Sequence, residues 1–345
     1  MLKMSEITVS VIMPCRNEIL HIESCVRSIL KQDLDFANLE VIVVDGMSSD
    51  GTREKLNQLT REDGRVRVIN NPQCITPCAL NIGIRESSGQ YVAIMGAHNR
   101  YATDYLRQSI SVLQETGADN VGGAMFCEAQ SWLQMAICVA HHHPFSVGGA
   151  SWHNPNYEGK TDTVFGGVYR REVFGLIGLF DEELVRNQDD EFNLRLKKAG
   201  RTIWQSPRIK SWYMPRKTFK DLFRQFFEYG YWKVRVIQKH RMPSTRRHLV
   251  PGIFVFLLGI LPVLSFWWSS MFWFWLGTIG LYIVINFIVS LKVAFSKNLK
   301  AFPLLPFVFA CYHFGYGLGF LRGIFDFFFF KKSRRRKFST QGDSR

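Results

Sequence analysis

The sequence predicts an α/β protein with a mostly parallel sheet, followed by helices that cross a membrane. Short apolar runs alternate with helical patterns over the first hundred residues, and this order builds a parallel sheet with helices on both faces. Residues 249–330 contain three apolar runs of about 20 residues each, close to the ~20 needed to span a bilayer. Basic stretches beside these runs contribute much of the net charge of +14.

The predicted sheet is built from buried strands that alternate with helices. In such a sheet, ligands bind beyond the carboxyl ends of the strands. Three polar segments follow predicted strands, PCRNE at 14–18, DGMSSDGT at 45–52 and GAHNRY at 96–101, so we expect the site there. The strands are expected at residues 8–14, 39–45, 66–70, 90–95, 120–126 and 161–170, and the helices at 22–30, 51–59, 78–89, 131–140 and 187–200.

The charge distribution favours a membrane over nucleic acid as the partner. Residues 201–247 carry thirteen Lys and Arg against Asp221 and Glu228, and a basic tail, KKSRRRK, starts at residue 331. A nucleic-acid surface is the alternative. Basic stretches beside apolar spans commonly face an anionic inner leaflet, at about 1 kcal/mol per residue. We therefore expect a membrane and no nucleic acid.

Other sequence features narrow the class of protein. The chain has no GxxxxGK[ST] phosphate loop, which argues against a P-loop nucleotidase. The glycines of GYGLGFLRG (315–323) lie in an apolar stretch and predict close helix packing. The seven cysteines form no CxxC pair and are expected to be reduced thiols. The first residues lack the pattern of a signal peptide, which predicts a cytosolic N-terminal part.

Motifs in a fixed order resemble those of the family-2 inverting glycosyltransferases, in particular a membrane-associated group of that family. They are PCRNE, VVDGMSSDGT, ALNIGIRESSGQY and, after a loop, FDEELVRNQDDEFNLRLKKAGRTIW. The resemblance covers roughly residues 7–245 and extends to the apolar C-terminal runs. It implies a GT-A fold, in which a Rossmann-like, mostly parallel sheet binds a nucleotide-diphosphate sugar, with a UDP-sugar favoured.

The resemblance implies that the first two polar segments bind the donor. Asp45 then accepts hydrogen bonds from the uracil or ribose, and Asp50 opens a helix at its positive end. Turn and cap chemistry is the alternative for both acids. The other donor-side residues that the resemblance implies are Pro14, Arg16, Asn17, Glu18, Asn81 and Ala97, with Arg16 as a phosphate or base contact.

The catalytic base is expected in the segment NQDDEF. An inverting transfer needs one carboxylate to take the proton from the attacking acceptor hydroxyl. The family motif is usually Glu-Asp or Gln-Asp, and Gln188-Asp189 aligns with it. The resemblance therefore implies Asp189 as the base, with Asp190 as the alternate. Simple complementation of the helix dipole is the other interpretation of these acids.

A further resemblance lies in the segment after residue 212, where family members often carry Gln-x-x-Arg-Trp. Here Gln225 keeps the first position, but Glu228 replaces the arginine. The resemblance therefore implies a role on the acceptor or phosphate side for Gln225 only. Arg224 is expected to supply the positive charge of the missing arginine. An amphipathic helix at the membrane surface is a compatible alternative. Its apolar face would consist of Phe219, Phe223, Phe226 and Tyr229.

The expected metal site departs from the family pattern. Family members commonly have Asp-x-Asp after the fourth strand, where it holds a divalent cation on the donor diphosphate, and the membrane-associated group has Asp-Ala-His. This sequence has Gly96, Ala97 and His98. The resemblance therefore implies His98 as the metal ligand, which suits Mn better than Mg. The consecutive residues 141–143, all His, are not expected to bind a metal, and HPFSVGGA (143–150) is placed in the acceptor-side loop.

The predicted chain has four parts. They are a cytosolic GT-A domain at 1–218, a basic interfacial helix at 219–247, two to three membrane spans at 248–330 and a basic tail at 331–345. The tail and the Lys292–Lys300 loop favour the same side of the inner membrane, so residues 302–330 are expected to form a hairpin or a re-entrant segment.

The predicted function is inverting transfer of a sugar from a nucleotide-diphosphate sugar to a lipid-linked saccharide in surface polysaccharide biosynthesis. One alternative is transfer to a bare polyprenyl phosphate. The other is a catalytically impaired donor-binding or scaffold subunit, which Gly96 and Glu228 motivate.

Overall fold

The computed structural model describes residues 8–34, 39–243 and 245–330. The described chain divides into two compact units. The sheet unit comprises residues up to 127 together with 154–214, and the helical unit comprises 128–153 together with 215–330. The basic tail predicted at 331–345 lies outside the described residues.

Strands and helices alternate through the sheet unit, and helices form the helical unit. The strands are β1 (Val9–Cys15), β2 (Leu39–Asp45), β3 (Val66–Asn70), β4 (Tyr91–Ile94), β5 (Asn99–Tyr101), β6 (Asn120–Gly123), β7 (Met125–Cys127), β8 (Gly159–Lys160), β9 (Phe165–Arg170), β10 (Ile203–Gln205) and β11 (Ser211–Tyr213). The helices are α1 (Ile22–Leu30), α2 (Thr52–Glu62), α3 (Thr76–Glu86), α4 (Tyr105–Thr116), α5 (Trp132–His141), α6 (Pro144–Val147), α7 (Glu172–Ile177), α8 (Gln188–Lys198), α9 (Phe219–His240), α10 (Val250–Leu264), α11 (Ser269–Lys297) and α12 (Leu305–Ile324).

The main sheet has the order β3-β2-β1-β4-β9-β6-β10-β8. Its first four strands are parallel, β9 runs antiparallel to both neighbours, and β10 is parallel to β6. The predicted α/β class with a mostly parallel sheet is therefore confirmed. The parallel strands end at one edge, which brings the turns after β1, β2 and β4 together.

The buried strands place alternate side chains in two hydrophobic cores, because successive side chains point to opposite faces of a sheet. Val11 and Met13 of β1 pack with α1, α2 and α4, whereas Ile12 packs with α3, α7 and α8. Strand β2 divides in the same way, with Val43 on the first face and Ile42 on the second. Both faces are buried, which explains why these strands read as continuous apolar runs.

The structure corrects some of the predicted elements. The third polar segment is not only a loop, because Asn99–Tyr101 forms β5 in a second sheet of order β5-β11-β7. The strand predicted at 161–170 begins only at Phe165. The predicted loop 141–160 contains the short helix α6, a 3-10 turn at Ser151–His153 and the short strand β8.

Helices α9 and α12 of the helical unit pack in close contact along a row of glycines. A Cβ on Gly315, Gly319 or Gly323 would lie 2.8, 2.0 or 2.7 Å from a carbonyl oxygen of α9. Those oxygens belong, in order, to Phe223, Phe227 and Tyr231. Small residues spaced four apart on one helix face allow this approach of two backbones. The close packing predicted for the glycines of residues 315–323 is confirmed.

The face of α9 that the sequence assigns to the membrane surface contacts α12. The ring of Phe226 lies 4.1 Å from that of Tyr312, centroid to centroid, and the ring of Phe219 lies 6.4 Å from that of Phe307. At least two residues of the predicted apolar face, Phe219 and Phe226, therefore pack against α12. The interfacial location of the helix stays a prediction.

Two helices at the C-terminal end of the described chain are long and apolar enough to cross a membrane. They are Arg246–Leu264 and Ser269–Lys297, with mean hydropathies of 1.9 and 2.0 over the best window. Only 17% and 11% of those windows are buried inside the protein, so the apolar side chains are largely exposed. Exposed apolar surface of this size marks contact with a membrane or a partner. Helix α12 lies within residues 302–330, and it packs on α9 and α10 through its glycines. That this stretch forms a hairpin or re-entrant segment stays a prediction.

Candidate active site

The turns after β1 and β2 are held together by side-chain hydrogen bonds. Asn17 adopts a left-handed conformation with φ of 53°, which Asn tolerates better than most residues. Its amide N–H donates to Ser48 Oγ at 2.9 Å, and its Oδ1 accepts from the amide of Ser49 at 2.9 Å. Asn17 therefore fixes the geometry of the first turn against the second, and its contact with a donor stays a prediction.

Asp45 lies at the end of β2 with its side chain buried. Its Oδ1 accepts from Ser48 Oγ at 2.5 Å and from the Ser48 amide at 3.2 Å. The guanidinium of Arg53 lies 3.3 Å from Oδ2. The carboxylate is thus oriented and charge-compensated at the carboxyl end of β2, at the sheet edge where a nucleotide is expected to bind.

Asp50 accepts hydrogen bonds that connect the same two turns. Its Oδ2 accepts from the amide of Ile19 at 3.1 Å, and its Oδ1 accepts from the amide and hydroxyl of Thr52 at 3.0 and 2.5 Å. Burial acts to raise the pKa of this carboxyl, but the hydrogen bonds from Thr52 and Ile19 prevail and lower it. Of the two interpretations left open by the sequence, these contacts favour turn chemistry for Asp50.

The tip of β4 brings Glu18 and His98 together. Glu18 Oε1 lies 3.3 Å from His98 Nδ1, and the Glu18 side chain is buried. The His98 ring meets the ring of Tyr213 edge-on at 5.9 Å. Gly96 donates its amide to Tyr101 Oη at 2.7 Å, and Ala97 is buried. The residues of the first and third polar segments therefore form one cluster, which also contains Tyr213.

Two more of the predicted donor residues, Pro14 and Arg16, lie at this edge. Pro14 is paired with Val44 in the β1–β2 register. Arg16 Cβ lies 3.3 Å from the position that a Cβ on Gly46 would take. The glycine therefore leaves room for the Arg16 stem to cross the end of β2.

Asn81 has a different environment from the one predicted. Its buried Nδ2 donates to the carbonyl of Phe180 at 2.8 Å and to Glu182 Oε1 at 3.0 Å. Its Oδ1 accepts from the amide of Phe180 at 2.9 Å. Since these bonds occupy the amide, Asn81 holds the 180–182 loop, and a direct donor contact is not supported.

The predicted base lies in the first turn of α8. Asp189 is exposed, and its Oδ1 accepts from the amide of Asp190 at 2.9 Å. The buried Tyr169 has a raised pKa, first because of burial and then because of the negative charge of Asp189. The acids of this turn have separate environments, because Glu191 is buried and its Oε1 lies 2.8 Å from Arg195 Nε.

The acceptor-side residues predicted on α9 form polar contacts within the helical unit. Gln225 Oε1 accepts from Arg216 Nε at 3.2 Å, and Gln225 Nε2 donates to Tyr229 Oη at 2.9 Å. Arg224 Nε lies 3.8 Å from Glu228 Oε1 one turn further along the helix. The charge of Arg224, expected to replace that of the missing arginine, is therefore compensated by Glu228.

The three consecutive histidines are packed into the helical unit. The His141 ring lies 4.6 Å from that of His153, and His142 Nδ1 lies 2.7 Å from the carbonyl oxygen of His153. His143 Nδ1 accepts from the amide of Phe145 and caps α6. Burial, followed by the charge of His142, lowers the pKa of His141 to about 3. Within the described ranges, no three His, Cys, Asp or Glu side chains form a group that could hold a metal.

The order of the main sheet and the turns at its carboxyl edge define the class of fold, which is GT-A. The mannosyltransferase PcManGT from Pyrobaculum calidifontis, solved with GDP-Man and Mn²⁺, has a similar fold. The TM-score is 0.61 at 17% identity, over 93% of this chain and 88% of that one. The predicted GT-A fold is confirmed.

The family follows from the sequence comparison. Residues 10–177 match the model of glycosyl transferase family 2, so the chain contains a glycosyltransferase domain of this family. It is similar to the succinoglycan biosynthesis protein ExoA of Rhizobium meliloti, with 29% identity over 92% of this chain and 95% of that protein. It is also similar to the dolichyl N-acetyl-alpha-D-glucosaminyl phosphate 3-beta-D-2,3-diacetamido-2,3-dideoxy-beta-D-glucuronosyltransferase of Methanococcus voltae, with 26% identity over 92% of this chain and 97% of that protein.

Proposed function

We propose that this glycosyltransferase moves a sugar, with inversion, from a nucleotide-diphosphate sugar to a saccharide carried on a membrane lipid. The observation that carries the proposal is the convergence of Asp45, Glu18 and His98 at the carboxyl edge of the parallel strands. The names of the relatives supply the biological setting. One is a succinoglycan biosynthesis protein, and the other is named for a dolichyl-phosphate-linked sugar. We place the reaction in surface polysaccharide assembly.

In this proposal the nucleoside binds beside Asp45. The hydrogen bond from Ser48 and the ion pair with Arg53 hold the Asp45 carboxylate in one orientation. The nucleotide therefore does not have to order this side chain when it binds. A carboxylate has about four acceptor sites, and it can therefore accept from a base N–H or a ribose hydroxyl in addition. A uracil base offers such an N–H, which favours a UDP-sugar. Arg16 lies beside this turn and contributes a positive charge toward the phosphates.

A divalent cation fits this site only if the donor supplies most of its ligands. The protein offers an imidazole and a carboxylate, His98 Nδ1 and Glu18 Oε1, which are 3.3 Å apart. A nitrogen and oxygen donor set suits Mn²⁺ better than Mg²⁺. When bound, the cation would stabilise the negative charge that the leaving diphosphate gains. Glu18 and His98 would hold the cation. Glu18 would take the place of the acid that family members have at the position of Gly96.

The base in the proposed reaction is Asp189. Its side chain is exposed at the N-terminal turn of α8, so an acceptor hydroxyl can reach it. The carboxylate takes the hydroxyl proton while the hydroxyl oxygen forms its bond to the anomeric carbon and the bond to the diphosphate breaks. Glu191 cannot replace it, because its side chain is buried and ion-paired with Arg195.

The acceptor is proposed to be lipid-linked because of the helical unit. Helices α10 and α11 and the turn between them expose a large apolar surface, including Trp267 in the turn and Trp273 and Phe274 in α11. Trp side chains are typical of the membrane–water boundary. We place the chain in the inner membrane with its sheet unit in the cytosol, as two basic stretches favour. They are residues 201–247 and Lys292–Lys300, which was predicted as a loop but comprises the C-terminal end of α11 and the turn after it.

A donor screen tests the proposal. The full chain is purified in lipid and incubated with UDP- and GDP-sugars, with and without an extract of bacterial membranes. Nucleotide release that depends on one donor and on the extract is the expected result. The matched control is Asp189→Asn, which should bind the nucleotide and release little of it. Absence of release with every donor, from protein that binds UDP or GDP, would contradict the proposed transfer.

A further inference from the structure

Gln225 links Arg216 to Tyr229 in a short hydrogen-bonded chain. The Gln225 amide oxygen accepts from Arg216 Nε at 3.2 Å, and its amide nitrogen donates to Tyr229 Oη at 2.9 Å. Because both ends of the amide are engaged, its orientation is fixed. Among the described residues, Arg216 is therefore held through Nε, and no hydrogen bond there engages its two terminal amino groups. A guanidinium held in this way presents two parallel donors to an oxyanion.

Arg216 differs from the neighbouring arginine on α9 in its charge balance. Arg224 has a carboxylate, Glu228, at 3.8 Å. No carboxylate lies within 4.0 Å of Arg216 among residues 8–34, 39–243 and 245–330, and Gln225 is its polar partner there. The side chain is also half-buried. A partly desolvated cation that is oriented but not neutralised favours an anionic ligand.

Helix α9 carries Gln225 and Tyr229 and therefore fixes the position of the side chains that hold Arg216. The α9 backbone lies against the glycines of α12, where a Cβ on Gly319 would come within 2.0 Å of the carbonyl oxygen of Phe227. Such a contact leaves α9 little freedom to slide along α12. The same unit contains both candidate membrane spans. An anion that Arg216 binds is therefore bound by the part of the protein that is suited to contact lipid.

We propose that Arg216 binds a phosphate ester of the lipid-linked acceptor, and that Gln225 is the residue that positions it. This inference rests on the proposed function for the identity of its ligand. The phosphate of the lipid carrier and the diphosphate of the donor share the chemistry that a guanidinium recognises. The membrane helices of the helical unit favour the lipid as the source. Gln225 thus acts through Arg216. Arg216 supplies the positive charge that the family motif places at position 228, where this chain has Glu228.

A binding experiment tests this site without relying on turnover. The full chain in detergent is titrated with farnesyl diphosphate as the lipid-phosphate probe and with UDP as the donor probe. Arg216→Gln should weaken binding of farnesyl diphosphate about tenfold or more and leave UDP binding unchanged. The affinity of Arg216→Lys for farnesyl diphosphate should lie between those of wild type and Arg216→Gln, because lysine keeps the charge but loses the bidentate geometry. The matched control is Arg208→Gln, which removes one positive charge from an exposed pair with Glu115 and should change neither affinity.

The positioning role of Gln225 is tested with a double-mutant cycle. Gln225→Ala should weaken farnesyl diphosphate binding by a smaller factor than Arg216→Gln. If Gln225 acts through Arg216, adding Gln225→Ala to Arg216→Gln should cause no further loss. In active protein, both variants should raise the KM for the acceptor and leave the KM for the donor unchanged. Multiplicative effects in the double variant would overturn the role of Gln225.

The outcomes separate this inference from the proposed function. Equal binding of farnesyl diphosphate by wild type and Arg216→Gln, including no binding by either, would overturn the site. A loss confined to UDP would overturn its assignment to the acceptor. If wild type binds both probes but transfers no sugar, the proposed function fails, and the binding data still decide the role of Arg216. Thermal unfolding of each variant checks that it is folded, and Arg216→Lys provides the comparison if Arg216→Gln does not fold.

Discussion

Glu18 Oε1 and His98 Nδ1 lie 3.3 Å apart, although the two residues come from the turns after β1 and β4. The pairing is possible because β1 and β4 are adjacent parallel strands that end at the same edge. It places a carboxylate beside His98, in the segment where the sequence has Gly96 instead of an acid. In the proposed function, this pair holds the divalent cation on the donor diphosphate.

Replacing either member of this pair should change the response to divalent cations. His98→Ala and Glu18→Gln should each weaken Mn²⁺ binding in the presence of UDP about tenfold. The reason is that each variant removes one of two protein ligands while the diphosphate keeps its own. Paramagnetic resonance of Mn²⁺ at fixed UDP measures the affinity directly. Unchanged Mn²⁺ binding in both variants, or full activity of wild type in excess chelator, would remove the metal from the account.

An acid introduced at position 96 should clash with the side chain of Asn99, whereas the backbone conformation there does not require glycine. The φ of Gly96 lies outside the left-handed region. A Cβ there would lie 2.6 Å from Asn99 Nδ2. We therefore expect Gly96→Asp to be tolerated poorly alone and better together with Asn99→Ala, with tighter Mn²⁺ binding in the double variant. Equal thermal stability of the single and double variants would show that Asn99 is not the obstacle.

Removal of the proposed base, Asp189, should slow sugar transfer without changing the binding of UDP. Asp189→Asn should reduce sugar transfer about 100-fold, the usual scale for a general base, with an unchanged affinity for UDP. Asp190→Asn should reduce transfer only a few-fold. Transfer rates and UDP affinities of the two variants are measured side by side. Wild-type transfer by Asp189→Asn, or a larger loss in Asp190→Asn, would assign the base elsewhere.

The α9–α12 contact predicts a position-specific effect of glycine substitution. Gly319→Ala should destabilise the protein by about 1–3 kcal/mol, because its Cβ would meet the carbonyl oxygen of Phe227 at 2.0 Å. Gly280→Ala in α11 is the matched control, since a Cβ there has no atom within 4 Å. Unfolding midpoints in the same detergent give the comparison. Similar midpoints for both variants would contradict the packing.

The buried histidines predict a loss of stability in acid. Burial lowers the pKa of His141 from its usual 6.5 to about 3 and also lowers the pKa of His153. The unfolded chain therefore binds protons below pH 6.5 that the folded protein does not bind until near pH 3. Stability is fully present above pH 6.5 and falls as the pH drops through that window, by up to about 1.4 kcal/mol per pH unit for each such group. Unfolding midpoints between pH 7.5 and 4.5 measure the slope, and His141→Phe should reduce it.

The sequence predicted the parallel part of the sheet well, and the physical reason is local. Strands β1, β2 and β4 are buried on both faces and read as apolar runs, and the turns that follow them carry the site residues. Strand β9 could not be placed antiparallel between β4 and β6, because the order of strands in a sheet depends on long-range contacts. The pairing of Arg216 with Gln225 was also missed, since nine residues and a helix start separate them and no motif marks the arginine. Asn81 was assigned to the donor by resemblance, whereas its amide holds Phe180 and Glu182.

The most direct test of the central claim is the transfer of a labelled sugar. The full chain in membrane vesicles is given a radiolabelled UDP-sugar, and the lipid fraction is extracted and its new linkage analysed. The account predicts label in the lipid fraction, attached with inverted anomeric configuration, and about 100-fold less of it with Asp189→Asn. Label that stays entirely in the aqueous phase with every sugar nucleotide tried, or a product with retained configuration, would contradict it.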